Sequence, residues 1–396
     1  MEELKIPEGI NYECTGCGKC CGGWAVPMTD ADYERVSRHD WAVIKPDKFA
    51  GKSLYRPLKD YEAAGTQNTW AIRPGDDDRC PFLVDNLCFI HSQFGAEEKP
   101  SICQLFPYCF NETPSGVYVT VSFNSMAVVW NSGKSLVEQK ELLERKWGEF
   151  QRLYPGHHPN WSRLQLTVGQ PITWAEYLEH EAQLLSLLKD GTVPVQERLL
   201  KGSDYLLSRL PTARPAGSSA VAQKMKRMDR HLLVALHKLY FPAKKLKRDN
   251  FHFNIGLFLY QLAFQRTRIA LPGRSFSFEE LHAFPWPVDD PEIEDLLYRY
   301  FFSRIFGKLY FAAGFGQLSL ISGFHHLILV LALIKLQAKA WALSREAPQV
   351  SLADLVPTIR QLEKGLGESA LGGYEAAVWE LLMFSPARVR RVLASV

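Results

Sequence analysis

The sequence predicts a mainly α-helical protein: a small cysteine-rich N-terminal domain with a few short strands, followed by a large helical region. Three observations lead there. All eight cysteines fall between Cys14 and Cys109. The same stretch is crowded with turn residues, as in "CGGW", "RPGDDDRCP" and "ETPSG". From Ser135 onward the apolar spacing becomes helical and stays so. With 396 residues, 46% of them apolar, the chain can bury more than one core. The expected organisation is a cysteine-rich domain over 1–130, a helical region over 131–210, a linker at 211–220 and a C-terminal helical domain over 221–396.

Each element has a local reason. "MTDADYERV" starts a helix, with Thr29 as N-cap and Asp32 three residues on. "NTWAIR" (68–73) and "GVYVTVSF" (116–123) read as short strands. Leu136, Leu143, Trp147 and Phe150 share one helical face. Thr173 and Glu176 form a capping box that opens "WAEYLEHEAQLLSLLKD", and Gly191 stops it. "PTARPAGSSA" is the linker composition. Asp290–Pro291 caps and starts the next helix, and Ser351 with Asp354 another, in which Pro357 implies a short or kinked first turn. Ser385–Pro386 starts the last.

Charge is nearly balanced, 46 basic against 43 acidic side chains, which argues against nucleic acid or a membrane surface as partner. The start lacks a basic region followed by an apolar one, so a cytoplasmic protein is expected. Leu309 to Ile334 contains no charged residue. Its glycines, Gln317, Ser319, Ser322 and His325–His326 suit a buried helix better than lipid, so no membrane is expected. On a helix those two histidines point about 100° apart, which favours core histidines over a shared ion. The basic run 224–248 reads as a solvated helix face plus a basic loop, with a docking patch for an acidic protein partner or nucleic acid as the sharper alternative.

The cysteines carry the chemistry. The first set reads Cys14-x2-Cys17-x2-Cys20-Cys21; the second comprises Cys80-Pro81, Cys88-x2-His91, Cys103 and Cys109. Two-residue gaps with interleaved glycines let neighbouring side chains converge on one metal. Clustered cysteines in a reducing compartment favour metal over disulfides. Cys14, Cys17 and Cys20 match the first three positions of a ferredoxin-type [4Fe–4S] run. Cys14 and Cys17 with Cys88 and His91 would equally make a zinc site. These nine residues are candidate ligands for an iron–sulfur cluster or zinc, and suffice for two sites.

The cysteine run, "CPFLVDNLCFIH" and "KPSICQLFPY" together resemble the CxxCxxCC family of zinc- or iron-chelating domains, over roughly residues 12 to 110. "LCFIHSQFG" and "LLSLLKDGTVPVQERLL" resemble, more loosely, the flagellin lysine-N-methylases. That second resemblance implies an iron–sulfur cluster, S-adenosylmethionine as methyl donor and a flagellin-like protein substrate. A radical S-adenosylmethionine motif is absent, since Trp24 stands where its third cysteine belongs. No dinucleotide fingerprint, P-loop, HExxH or G-x-S-x-G occurs. The competing expectation is a zinc module whose helical body recruits a protein partner without catalysis.

Overall fold

The computed structural model describes residues 3–22, 25–63, 65–211, 225–241, 268–271, 273–287, 290–368 and 374–396. Apart from Pro211, the expected linker at 211–220 lies outside them, as do Lys224 and 242–248 of the basic run. The chain forms two compact units, Met1–Pro159 and Asn160–Val396.

The first unit holds short strands and helices. Strands β1 (Leu4–Lys5), β2 (Val26–Met28), β3 (Tyr55–Pro57), β4 (Trp70–Ile72), β5 (Leu83–Val84), β6 (Leu87–Cys88), β7 (Tyr108–Thr113) and β8 (Gly116–Val121) make two three-stranded sheets and a small hairpin. One sheet has the order β1-β8-β7, with β1 parallel to β8; the other is antiparallel, β2-β4-β3. Thus both expected strands exist, as β4 and β8. Helix α1 (Asp30–Ser37) begins at Thr29 with a complete capping box. Helices α2 (Phe89–Phe94) and α3 (Ser101–Leu105) are short. Helix α4 (Lys140–Leu153) buries Leu143 and Trp147, and Trp147 and Phe150 pack on Phe110 of β7. That packing places α4 with the cysteine-bearing unit rather than with the later helices.

The second unit is helical. Helix α5 (Trp174–Lys189) starts with the Thr173–Glu176 capping box. Helices α6 (Val195–Ser208), α7 (Arg227–Tyr240), α8 (Pro291–Phe306), α9 (Leu320–Ser344), α10 (Leu352–Glu368), α11 (Tyr374–Met383) and α12 (Pro386–Ala394) follow. Asp290 caps α8 by accepting from the Glu292 and Ile293 amides, and Pro357 lies inside α10, which runs on to Glu368.

Helix α9 is the centre of this unit. By length and composition it could cross a bilayer, but 83% of its most apolar window is buried inside the protein. Packing against α6, α10 and α12 is what its apolar surface serves here. His325 bonds Ser203 Oγ through Nε2 and the Met383 carbonyl through Nδ1, each at 2.8 Å. His326 bonds the Tyr240 hydroxyl at 2.7 Å and stacks on Phe315. Burial lowers their pKa values to about 4 and about 3, so both are neutral core histidines.

The C-terminal helix is anchored electrostatically. Buried Asp229 of α7 accepts from Arg388 (3.0 Å) and Arg391 (2.9 Å) of α12. Burial alone would raise the Asp229 carboxyl; Arg391, the Lys226 amide and Arg388 outweigh it and hold the pKa below its ordinary value. A depressed carboxylate contributes stability that is present above the unfolded pKa and lost as pH falls through the folded one. Asp229→Asn should therefore weaken the protein at neutral pH and flatten the acid limb of its stability curve, measured by denaturant titration. Equal acid slopes in the two proteins would refute the anchor.

Candidate metal centre

The first cysteine loop is shaped by its glycines. Gly16 and Gly18 have φ of 66° and 64°, in the left-handed region. A Cβ on Gly18 would stand 2.3 Å from the Asn86 carbonyl oxygen and 2.6 Å from Leu83 Cδ1. The loop is thus seated on the β5–β6 hairpin, whose turn residues Asp85 and Asn86 also have positive φ. Gly18→Ala adds strain and a backbone clash together, an expected cost of about 1–3 kcal/mol. Thermal unfolding of the full chain reads it, and an unchanged transition would show that the loop is seated elsewhere.

Backbone contacts then bring the segments that carry Cys21, Cys80, Cys88 and Cys103 against one another. The Cys21 carbonyl accepts from the Cys80 amide at 3.1 Å, and Gly22 bridges Arg79. The Cys80 carbonyl accepts from Leu83, which pairs across the hairpin with Cys88. Cys80, Cys88 and Cys103 pack on one apolar cluster that includes Trp41, Phe49, Phe82 and Ile90. Cys103 lies on α3, whose first turn is held by Asp32 of α1. The Asp32 carboxylate accepts from the Ser101 amide at 3.1 Å and its hydroxyl at 2.7 Å, and from Arg35. Arg35 also donates to the Lys99 carbonyl.

Electrostatics couple these thiols to one another, and Cys21 to Cys20 and Cys14 as well. Burial, then Cys88 and Cys20, push the Cys21 thiol up to about 12. Burial also takes Cys80 to about 12, against a hydrogen bond from the Phe82 amide and with Cys21 and Cys88 raising it further. Cys103 is raised by burial and by Cys80, Cys88 and Cys21, while the Lys99 ammonium pulls both Cys103 and Cys21 down. Without metal these are neutral thiols, so binding a metal must release their protons.

The remaining candidates lie around the quartet. The Cys20 Sγ lies 3.9 Å from the Asn124 carbonyl, and Cys20 also raises the neighbouring Cys21 thiol. Cys14 is exposed and Cys17 half-buried in the same loop. Tyr12, held edge-on to Tyr108, has its hydroxyl raised by burial first and then by Cys14, Tyr108 and Cys20. His91 is exposed on α2; partial burial and Lys99 lower its pKa. Cys109 sits on β7 opposite Thr120, its Sγ directed to the Pro107 carbonyl at 3.6 Å. Among the described residues no three His, Cys, Asp or Glu side chains are closed around one ion-sized point.

Sequence reasoning did not single out Tyr12, Asp32 or Lys99 for this site. Asp32 was visible only as a helix-capping residue and Lys99 only as part of "KPSIC". Their placement near the thiols depends on long-range packing.

Sulfur donors packed on an apolar cluster are the chemistry of zinc or an iron–sulfur centre, both of which take thiolate sets. Residues 13–128 match the CxxCxxCC family. The family is described as a "Putative zinc- or iron-chelating domain". The CxxCxxCC match contains all eight cysteines and His91, and it supports metal binding by the first unit. An uncharacterized protein of Methanocaldococcus jannaschii is 31% identical over 103 residues, covering 26% of this chain and 30% of that protein. The chain therefore spans less than a third of that relative's length. No solved structure matches.

Proposed function

We propose that the CxxCxxCC domain holds an iron–sulfur cluster through Cys21, Cys80, Cys88 and Cys103, in a cytoplasmic protein whose helical unit engages a protein substrate. The packing of the Cys21, Cys80, Cys88 and Cys103 segments against one another, inside the matched domain, supports this reading. The donor set is all sulfur, the surroundings are apolar, and Lys99 offsets part of the negative charge that four thiolates would bring. The activity proposed with it is S-adenosylmethionine-dependent methylation of lysines on a flagellin-like protein. Its support is the resemblance of "LCFIHSQFG" and "LLSLLKDGTVPVQERLL" to the flagellin lysine-N-methylases.

Anaerobic purification with metal, sulfide and visible-absorption analysis tests the cluster. Iron with acid-labile sulfide, and colour bleached by dithionite, is the expected result. A colourless protein with stoichiometric zinc would overturn it in favour of a structural zinc module. Methylation is tested separately, by binding of S-adenosylmethionine to the iron-loaded protein and methyl transfer to flagellin.

A further inference from the structure

The second unit contains an amine pocket unrelated to the cysteines. A cavity of about 150 Å³ is lined by Gln196 and Glu197 of α6, Trp286, Glu294 of α8, and Leu331 and Lys335 of α9. Engineered protein cavities of about that volume hold benzene, which sets the size of the ligand. Lys335 is 7% exposed. Its Nζ donates to Gln196 Oε1 at 2.8 Å and lies 5.3 Å from the centre of the Trp286 ring. Among the described residues no carboxylate lies within salt-bridge distance of it. One turn along α9 stands Lys339, 3% exposed and likewise without a described carboxylate partner.

We propose that Lys335 is a nucleophilic amine that forms a Schiff base with a small aldehyde or ketone bound in this cavity. Nζ attacks the carbonyl carbon, the oxygen takes up a proton, and loss of water leaves the imine; hydrolysis reverses the sequence without any redox partner. Glu197 and Glu294 line the same cavity; Glu294 Oε2 accepts from the Val195 amide at 2.7 Å and lies 4.0 Å from Arg198, which leaves Glu197 as the group to carry the proton. Apolar burial and a neighbouring cation are the two means by which proteins keep a lysine neutral enough to react. Both act here: burial and then the Lys339 ammonium bring Lys335 down to about 8, against an opposing pull from Glu294.

Reductive trapping tests this. The full chain is incubated at pH 7.5 with butanal and cyanoborohydride, and modified lysines are mapped by mass spectrometry. Balancing a larger neutral fraction against weaker intrinsic nucleophilicity, Lys335 should be alkylated about tenfold faster than an exposed lysine such as Lys140. Lys339→Gln should slow it several-fold by returning Lys335 toward its ordinary pKa, a change that a purely structural lysine would not show. Leu331→Trp, which fills the cavity, should abolish the preference while Lys140 reacts as before. Labelling of Lys335 no faster than Lys140 in the unmodified protein overturns the proposal, and this readout does not depend on either variant folding.

Discussion

Cys103→Ser is expected to remove most of the metal retained by the CxxCxxCC domain. Thiolate-bound structural metal contributes on the order of 10–16 kcal/mol of binding free energy at neutral pH. One of four ligands carries about a quarter of that, about 2.5–4 kcal/mol, or roughly 10²–10³-fold in affinity. Competition with a chelator, followed by metal analysis of the protein, measures it. Cys109→Ser is the internal control, because its sulfur is directed to the Pro107 carbonyl and it is not among the four proposed ligands. Equal losses in the two variants would refute the quartet, since they would place Cys109 among the ligands or deny Cys103 that role. Serine keeps the size of cysteine, so the apolar packing beneath Cys103 is little disturbed and the sulfur is what the comparison reads.

Lys308→Met should cost the helical unit about 3–5 kcal/mol, the range for breaking a buried ion pair from one side. Lys308 follows α8 and is fully buried; its ammonium meets Glu181 of α5 at 2.9 Å and donates to the Phe306 carbonyl at 2.8 Å. Tyr177 donates to the same carboxylate at 2.7 Å. Burial raises the Glu181 carboxyl and Lys308 and Tyr177 offset this only in part, while burial lowers Lys308 to about 8. Removing the lysine leaves that carboxylate facing an apolar core. The double variant Lys308→Met with Glu181→Leu should recover most of the loss, because two apolar groups need no compensation. Denaturant unfolding followed by tryptophan fluorescence decides it. A loss below about 1 kcal/mol for the single variant would show a solvated pair of the kind found on surfaces.

Much of the architecture was legible locally. Thr29, Thr173 and Asp290 mark helix starts because a cap is satisfied within three residues. The alternation in "GVYVTVSF" reports a strand for the same reason, since each side chain's face is set by its neighbours. His325 and His326 could be assigned to the core from their separation on a helix, and their partners bear that out. For membrane crossing the polar residues within the run pointed to a buried helix, against its length and lack of charge. The apolar run of α9 passes a length and hydropathy test, and only its neighbours show that the surface is covered by protein.

The candidate centre divides along the same line. The sequence by itself determined that this is a sulfur-rich, metal-type site: eight cysteines within Cys14–Cys109, glycines at the turns, and the Lys-Pro-x-x-Cys element all lie in view. Which cysteine-bearing segments lie against one another is set by packing between distant parts of the chain. Cys20 and Cys21 are adjacent in a tight turn closed by the Cys21 amide on the Gly18 carbonyl; the Cys20 sulfur lies near the Asn124 carbonyl, while the Cys21 carbonyl accepts from the Cys80 amide. Cys103 joins them because Asp32, some seventy residues earlier, holds the first turn of its helix. Buried Lys308, Lys335 and Lys339 were likewise invisible, since a lysine's environment is set by the elements that fold over it. Spacing along a chain limits which neighbours can share a ligand; packing between distant segments selects the ones that do.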